Sequence, residues 1–95
     1  MRNYTGSFTQ ELYSNGEIIP GYSGRHSEAF SEMVEAETEE EARSEFEKWL
    51  ANTEGDLFLK FGDPTINDGI LTYTQPDGST AARVYVSDVR EWTEH

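Results

Sequence analysis

Nine glutamates fall within twenty residues of this chain: Glu28, Glu32, Glu35, Glu37, Glu39, Glu40, Glu41, Glu45 and Glu47. The stretch 28–47 carries one basic residue, Arg43. Carboxylates at this density can supply a general acid and base, or receive Lys and Arg side chains from another molecule. A glycosidase-like carboxylate pair is available in any Glu-rich chain, so its presence here carries no information. A solvated helix face accounts for Glu39 and Arg43 as an i, i+4 ion pair. It accounts poorly for Glu41 and Glu45, because like charges at i, i+4 are mildly destabilising. So one-sided a field costs stability through self-repulsion, and it points either to solubility or to a basic partner.

The other residues capable of chemistry lack a supporting pattern. Asp63, Asn67 and Asp68 crowd one loop, but Pro64 and Ile66 interrupt it and no distal bidentate Glu follows, as a calcium loop requires. Asp and Asn there read as turn formers. His26 lies in a glycine-containing loop and His95 is the last residue, so both read as solvated surface residues and no metal site is expected. Ser23, Ser27 and Ser31 lie near His26 without an elbow or an oxyanion motif. Gly21-Tyr22-Ser23-Gly24 lacks the Lys and the helix of a phosphate loop. The chain reads as non-catalytic and without a cofactor.

Composition narrows the partner. The chain has 95 residues, 7 basic and 19 acidic, for a formal charge of −12. DNA, RNA and anionic membranes need Lys and Arg to neutralise phosphates, so none is an expected partner. The length fits a single domain, 1–95. Folding should bury roughly 65% of the extended-chain surface, which leaves room for one modest core and no deep pocket beside it. Aromatic residues make up 13% of the chain and spread through periodic segments, which argues against disorder. Cysteine is absent, which excludes disulfides and thiolate zinc sites. Residues 1–10 contain no apolar stretch suited to a signal peptide, and no run approaches the ~20 apolar residues of a membrane span. A cytoplasmic location and a complete small gene product are the expectation. Low Lys with high Glu also leaves salt adaptation open.

The elements that must position these residues follow from periodicity. Residues 4–13 alternate as a strand, and Asn15-Gly16 is a turn signal. Residues 17–27 read as a loop, with room for a short strand pairing back across Asn15-Gly16. Residues 28–37 read as a second strand, with Glu32 breaking its apolar face as a bulge or an edge would. Thr38 to Glu41 form a capping box for a helix near 39–51, whose apolar stripe is Ala42, Phe46, Trp49 and Leu50. Residues 56–61 read as a third strand with Leu57, Leu59 and Phe61 on one side, and 62–69 as a polar loop. Residues 70–75 and 79–86 flank the hairpin turn Pro76-Asp77-Gly78. Val89 and Trp92 are expected to extend that strand or to form a short helix. The fold class is therefore α+β: an antiparallel sheet of about four to five strands with one helix on one face, in the order β-β-α-β-β-β.

If the helix covers Phe8, Leu12, Leu57, Leu59, Val84 and Val86, the far face carries Tyr13, Met33, Phe58, Tyr85 and Tyr73. Aromatics and Met on an open polar face suit an interface, through self-association as a homodimer or through a partner. The expected contacts are Glu35, Glu37, Glu40, Glu41 and Glu45, with Tyr13, Phe58 and Tyr85 as anchors. Glu11, Glu91 and Glu94 are acids outside this cluster.

In size, in the 28–47 acidic cluster and in lacking a catalytic motif, the chain resembles the small acidic inhibitors that phages encode against host nucleic-acid enzymes, namely anti-CRISPR proteins and DNA mimics. The resemblance is one of overall character. It implies a non-catalytic protein that blocks the basic nucleic-acid-binding groove of a host enzyme. The alternatives are a salt-adapted structural or housekeeping domain with a solvated acidic surface and, third, a small enzyme using a carboxylate.

Overall fold

In the computed structural model, residues 1–52 and 55–93 are described. The backbone of the domain is one long strand, β1 (Arg2–Ser14), paired antiparallel along most of its length with the last strand, β7 (Thr80–Glu91). Alternation sends Tyr4, Phe8 and Leu12 to one face and Thr9, Glu11 and Tyr13 to the other, as period two requires. Asn15 and Gly16 both take positive φ, 52° and 81°, which is the geometry of a two-residue hairpin turn into β2 (Glu17–Ile18). Beside β2, the outer edge of β1 is covered by β3 (Arg25–Ala29) and β4 (Val34–Ala36). β7 pairs on its far side with β6 (Ile70–Thr74), and β6 with β5 (Thr65–Asn67), so the sheet runs β2-β1-β7-β6-β5.

Helix α1 (Glu39–Ala51) starts where the capping box places it. The Glu41 backbone N–H donates to Thr38 Oγ1 at 3.2 Å, and Glu41 Oε2 accepts the Glu37 N–H at 3.1 Å. Its inward stripe of Ala42, Phe46 and Leu50 is buried against Tyr4, Val34, Ala36, Val86 and Val89. The phenyl ring of Phe46 is fully buried, and Gly6 makes room for it: a Cβ at Gly6 would lie 2.8 Å from the ring. Trp49 is half-buried, with its ring edge-on to Phe46 at 5.3 Å.

The class is α+β with an antiparallel sheet, but the described residues form seven strands and two helices, in the order β-β-β-β-α-α-β-β-β. Three segments depart from expectation. Residues 28–37 split into β3 and β4, because four residues, 30–33, sit opposite only Thr5 and Gly6 of β1 and must loop out. There the Phe30 ring turns inward to stack on Phe46 at 4.6 Å. Residues 56–61 form a helix, α2 (Asp56–Phe61), not a strand. Leu57, Phe58 and Phe61 are partly buried against the core, which is helical spacing, whereas Leu59 is 80% exposed. The 62–69 loop contains β5, whereas β2 is the short strand expected across Asn15-Gly16, and β3 begins at Arg25, ahead of residue 28. At the C-terminus β7 takes the strand-extension course as far as Glu91.

Candidate functional site

The cap at Thr38 and the buried stripe of α1 fix the direction of its other side chains. Glu41 and Glu45 flank one side of the stripe, and β4 runs alongside them. Between β4 and α1 lies an open groove of about 560 Å³. Glu35, Glu41 and Glu45 line it together with Met1, Met33, Trp49 and Lys48. Met1 and Met33 are 83% and 47% exposed. The groove thus joins three carboxylates to a soft apolar surface, and that combination suits the aliphatic stem and charged head of a Lys or Arg side chain.

Not every acid in the cluster is equally available. Glu45 accepts from Lys48 Nζ at 3.1 Å, and one oxygen of Glu41 is engaged in the cap. Glu28 lies 3.9 Å from His26 Nε2. Among the described residues, no ion pair involves Glu32, Glu35, Glu37, Glu39, Glu40 or Glu41, and all six are exposed. The expected Glu39–Arg43 pair does not form. Arg43 Nη1 instead donates to the Val86 carbonyl at 3.1 Å and ties α1 to the sheet. Glu37 and Glu40 are exposed but do not line the groove.

The residues expected on the far face, the anchors Tyr13, Phe58 and Tyr85 among them, fall out differently from the sequence expectation. Tyr73 is core, Phe58 belongs to α2 and packs on the core side, and Met33 lies in the connection before β4. Tyr13 and Tyr85 do lie on the open face, but both hydroxyls are engaged. Tyr13 donates to Glu11 Oε1 at 3.0 Å, and Tyr85 to Glu11 Oε2 at 3.2 Å. Arg25 completes this cluster with its Nε at 3.0 Å from Glu11 Oε2 and its Nη2 on the same oxygen. Glu11 is therefore no surface acid; it is 3% exposed and locked in place. Burial alone pushes its carboxyl up, but hydrogen bonds from Arg25, Tyr13 and Tyr85, with the Arg25 charge, hold it below the usual value. Burial, then the Glu11 charge, raises the Tyr85 phenol. The signal for this cluster was the placement of Glu11 on one strand face with Tyr13, but its partners Arg25 and Tyr85 are distant in sequence.

His26 is half-buried rather than solvated, its ring 5.2 Å from that of Tyr22. His95 and Glu94 lie outside the described residues. Among the described residues no three acidic or histidine side chains converge as metal ligands would, and no helix is long and apolar enough to cross a membrane.

The inner face of the sheet holds an open cleft and not an interior pocket. A cleft of about 910 Å³ opens between the C-terminal end of α1, α2 and the sheet, lined by Phe8, Leu12, Phe30, Trp49, Phe61 and Tyr73 among others. Trp49 lines both this cleft and the acidic groove. No protein-family model, curated protein or solved structure matches the chain.

Proposed function

We propose that this protein is a non-catalytic, cytoplasmic inhibitor that binds a basic protein and blocks its nucleic-acid-binding groove by acidic mimicry. The observation carrying this reading is the convergence of Glu35, Glu41 and Glu45 on a groove with exposed Met1 and Met33, beside further acids that have no ion-pair partner among the described residues. A solubility surface needs charge, but it gains nothing from methionines exposed among the acids. The grouping of nine of the 19 acids in residues 28–47 also favours a directed field over an even salt-adapted coat.

The test begins with affinity capture from the native host and identification of a basic partner. Binding is then measured for two triple reversals to Lys. One replaces Glu35, Glu40 and Glu45. The other replaces Glu17, Asp63 and Glu91, exposed acids outside the 28–47 cluster. The first should weaken binding by more than about tenfold and the second much less, with the fold intact by circular dichroism. Equal losses would reduce the effect to bulk charge, and no loss from either would sink the mimicry reading. An excess of DNA that competes with the protein for the captured partner would support the blocked-groove part.

A further inference from the structure

The apolar cleft follows from a mismatch of lengths. Helix α1 has 13 residues and spans about 20 Å, whereas β1, also of 13 residues, spans about 43 Å. The helix is therefore less than half as long as the strand it packs on. The inner sheet face around Leu12, Tyr73 and Val84 is left to α2, which has six residues, none of them fully buried. Phe8, Trp49, Leu57 and Phe61 remain only partly buried around the resulting space. An open cleft lined by partly buried aromatic and aliphatic side chains, next to charge of one sign, has the form of a groove that takes an amphipathic helix.

We infer that the cleft seats the apolar face of a basic amphipathic helix belonging to the partner. This rests on the reading that the partner is basic and adds how it is held. Charge argues for this occupant. Among the described residues the cleft wall carries Glu28 and Asp56 against one cation, Lys60, and Trp49 lines both the cleft and the groove of Glu35, Glu41 and Glu45. A helix with its apolar stripe on Phe8, Leu12, Trp49 and Phe61 presents its flanking Lys and Arg to those acids. A neutral apolar ligand would use the cleft and leave the adjoining carboxylates without a role. An anionic one would meet a chain of net charge −12.

The probe is a synthetic Leu/Lys peptide of about 18 residues, ~27 Å as a helix, with every Leu on one face. Its control is a scramble of the same composition that has no apolar face. The protein carries Trp92→Phe, so that Trp49 is the sole tryptophan; its emission reports the cleft and the adjoining groove, and the Leu57→Lys variant separates the two. The amphipathic peptide should shift Trp49 emission and bind at least about tenfold tighter than the scramble. Leu57→Lys, inside the cleft, should cost about tenfold or more, whereas Leu59→Lys, the same charge change on the solvent side of α2, should leave binding within about twofold. Far-ultraviolet circular dichroism establishes that both variants fold. Equal binding of peptide and scramble overturns the cleft assignment while leaving the acidic-surface reading standing, as does equal behaviour of the two Leu variants. A protein that sediments as a dimer and is dissociated by Leu57→Lys assigns the cleft to a second copy and also overturns the inference.

Discussion

Tyr85 on β7 donates its hydroxyl to Oε2 of Glu11 on the neighbouring β1, 74 residues away in sequence, at 3.2 Å. Together with Tyr13 and Arg25 this makes Glu11 the polar centre of the open sheet face and pins β3 to β1. The face that sequence reasoning offered as an interface thus has its two tyrosines committed to a buried carboxylate.

The first prediction concerns this cluster. Glu11→Gln keeps the shape and removes the charge, so it should destabilise the protein by about 1–2 kcal/mol at neutral pH, a charged hydrogen-bond contribution reduced because Arg25 is largely solvated. The Glu11 carboxyl is depressed in the folded state, so its stabilisation is present above its ordinary value of 4.5 and is lost as pH falls below that. The difference in unfolding free energy between wild type and Glu11→Gln should therefore shrink on acidification below that value. Urea titrations of both proteins across the acid range measure it. A difference that stays constant or grows contradicts the assignment. The comparison also cancels the opposite trend from surface acids, whose mutual repulsion is relieved in acid.

A second prediction uses the contact between Gly6 and Phe46. The Phe46 ring is fully enclosed and cannot retreat from a Cβ that would approach to 2.8 Å. Gly6→Ala should cost about 1–3 kcal/mol, as overpacking does. Phe46→Leu alone should also destabilise, but the double variant should be more stable than the sum of the single effects by at least about 0.5 kcal/mol, because the smaller side chain makes room for the methyl group. Strict additivity in thermal or urea unfolding would place Gly6 away from the ring.

These particulars show what could be read from the residues. The Thr38 capping box set the start of α1, and the Asn15-Gly16 and Pro76-Asp77-Gly78 turns set two hairpins, because all three are local signals with a backbone mechanism. Residues 56–61 depart from the strand expectation because a six-residue segment with four apolar residues fits either period. The arbiters were Gly62 at the helix end, with φ 82°, and Asp56 and Lys60 at dipole-favoured ends. The split of 28–37 had a local trace in Glu32, which breaks the apolar face, but its extent depends on Phe30 finding Phe46, a tertiary contact that no local pattern shows. Of the site, the acids were legible from their number. Their sorting was not: Glu35, Glu41 and Glu45 meet because β4 lies beside α1, and Glu11 leaves the surface because Arg25 and Tyr85 arrive from other strands.

The third prediction is a negative one. With charge −12 and its arginines tied to Glu91, Glu11, Val86 O and Asp88 at four positions, the isolated protein should not bind DNA or RNA oligonucleotides in about 150 mM salt. Fluorescence anisotropy with single- and double-stranded probes checks this. Micromolar binding to any of them would overturn the charge argument.

The last prediction separates the two roles of Glu41. Its carboxylate accepts the Glu37 N–H as part of the α1 cap, and it also lines the acidic groove. A glutamine at this position retains an acceptor oxygen, since capping boxes accept either residue, and loses only the charge. Glu41→Gln should therefore change stability by no more than about 0.5 kcal/mol, the share of one exposed charge at a helix start. Glu41→Ala loses the acceptor as well and should cost more, about 0.5–1.5 kcal/mol. On the proposed reading a basic partner would be held by charge and not by the cap, so both variants should slow association by a similar factor, with a shallower dependence on salt than the wild type. Stability comes from urea unfolding and association from stopped-flow traces at several ionic strengths. If only Glu41→Ala slows association, the effect runs through the helix end, and Glu41 belongs to the fold and not to the binding surface.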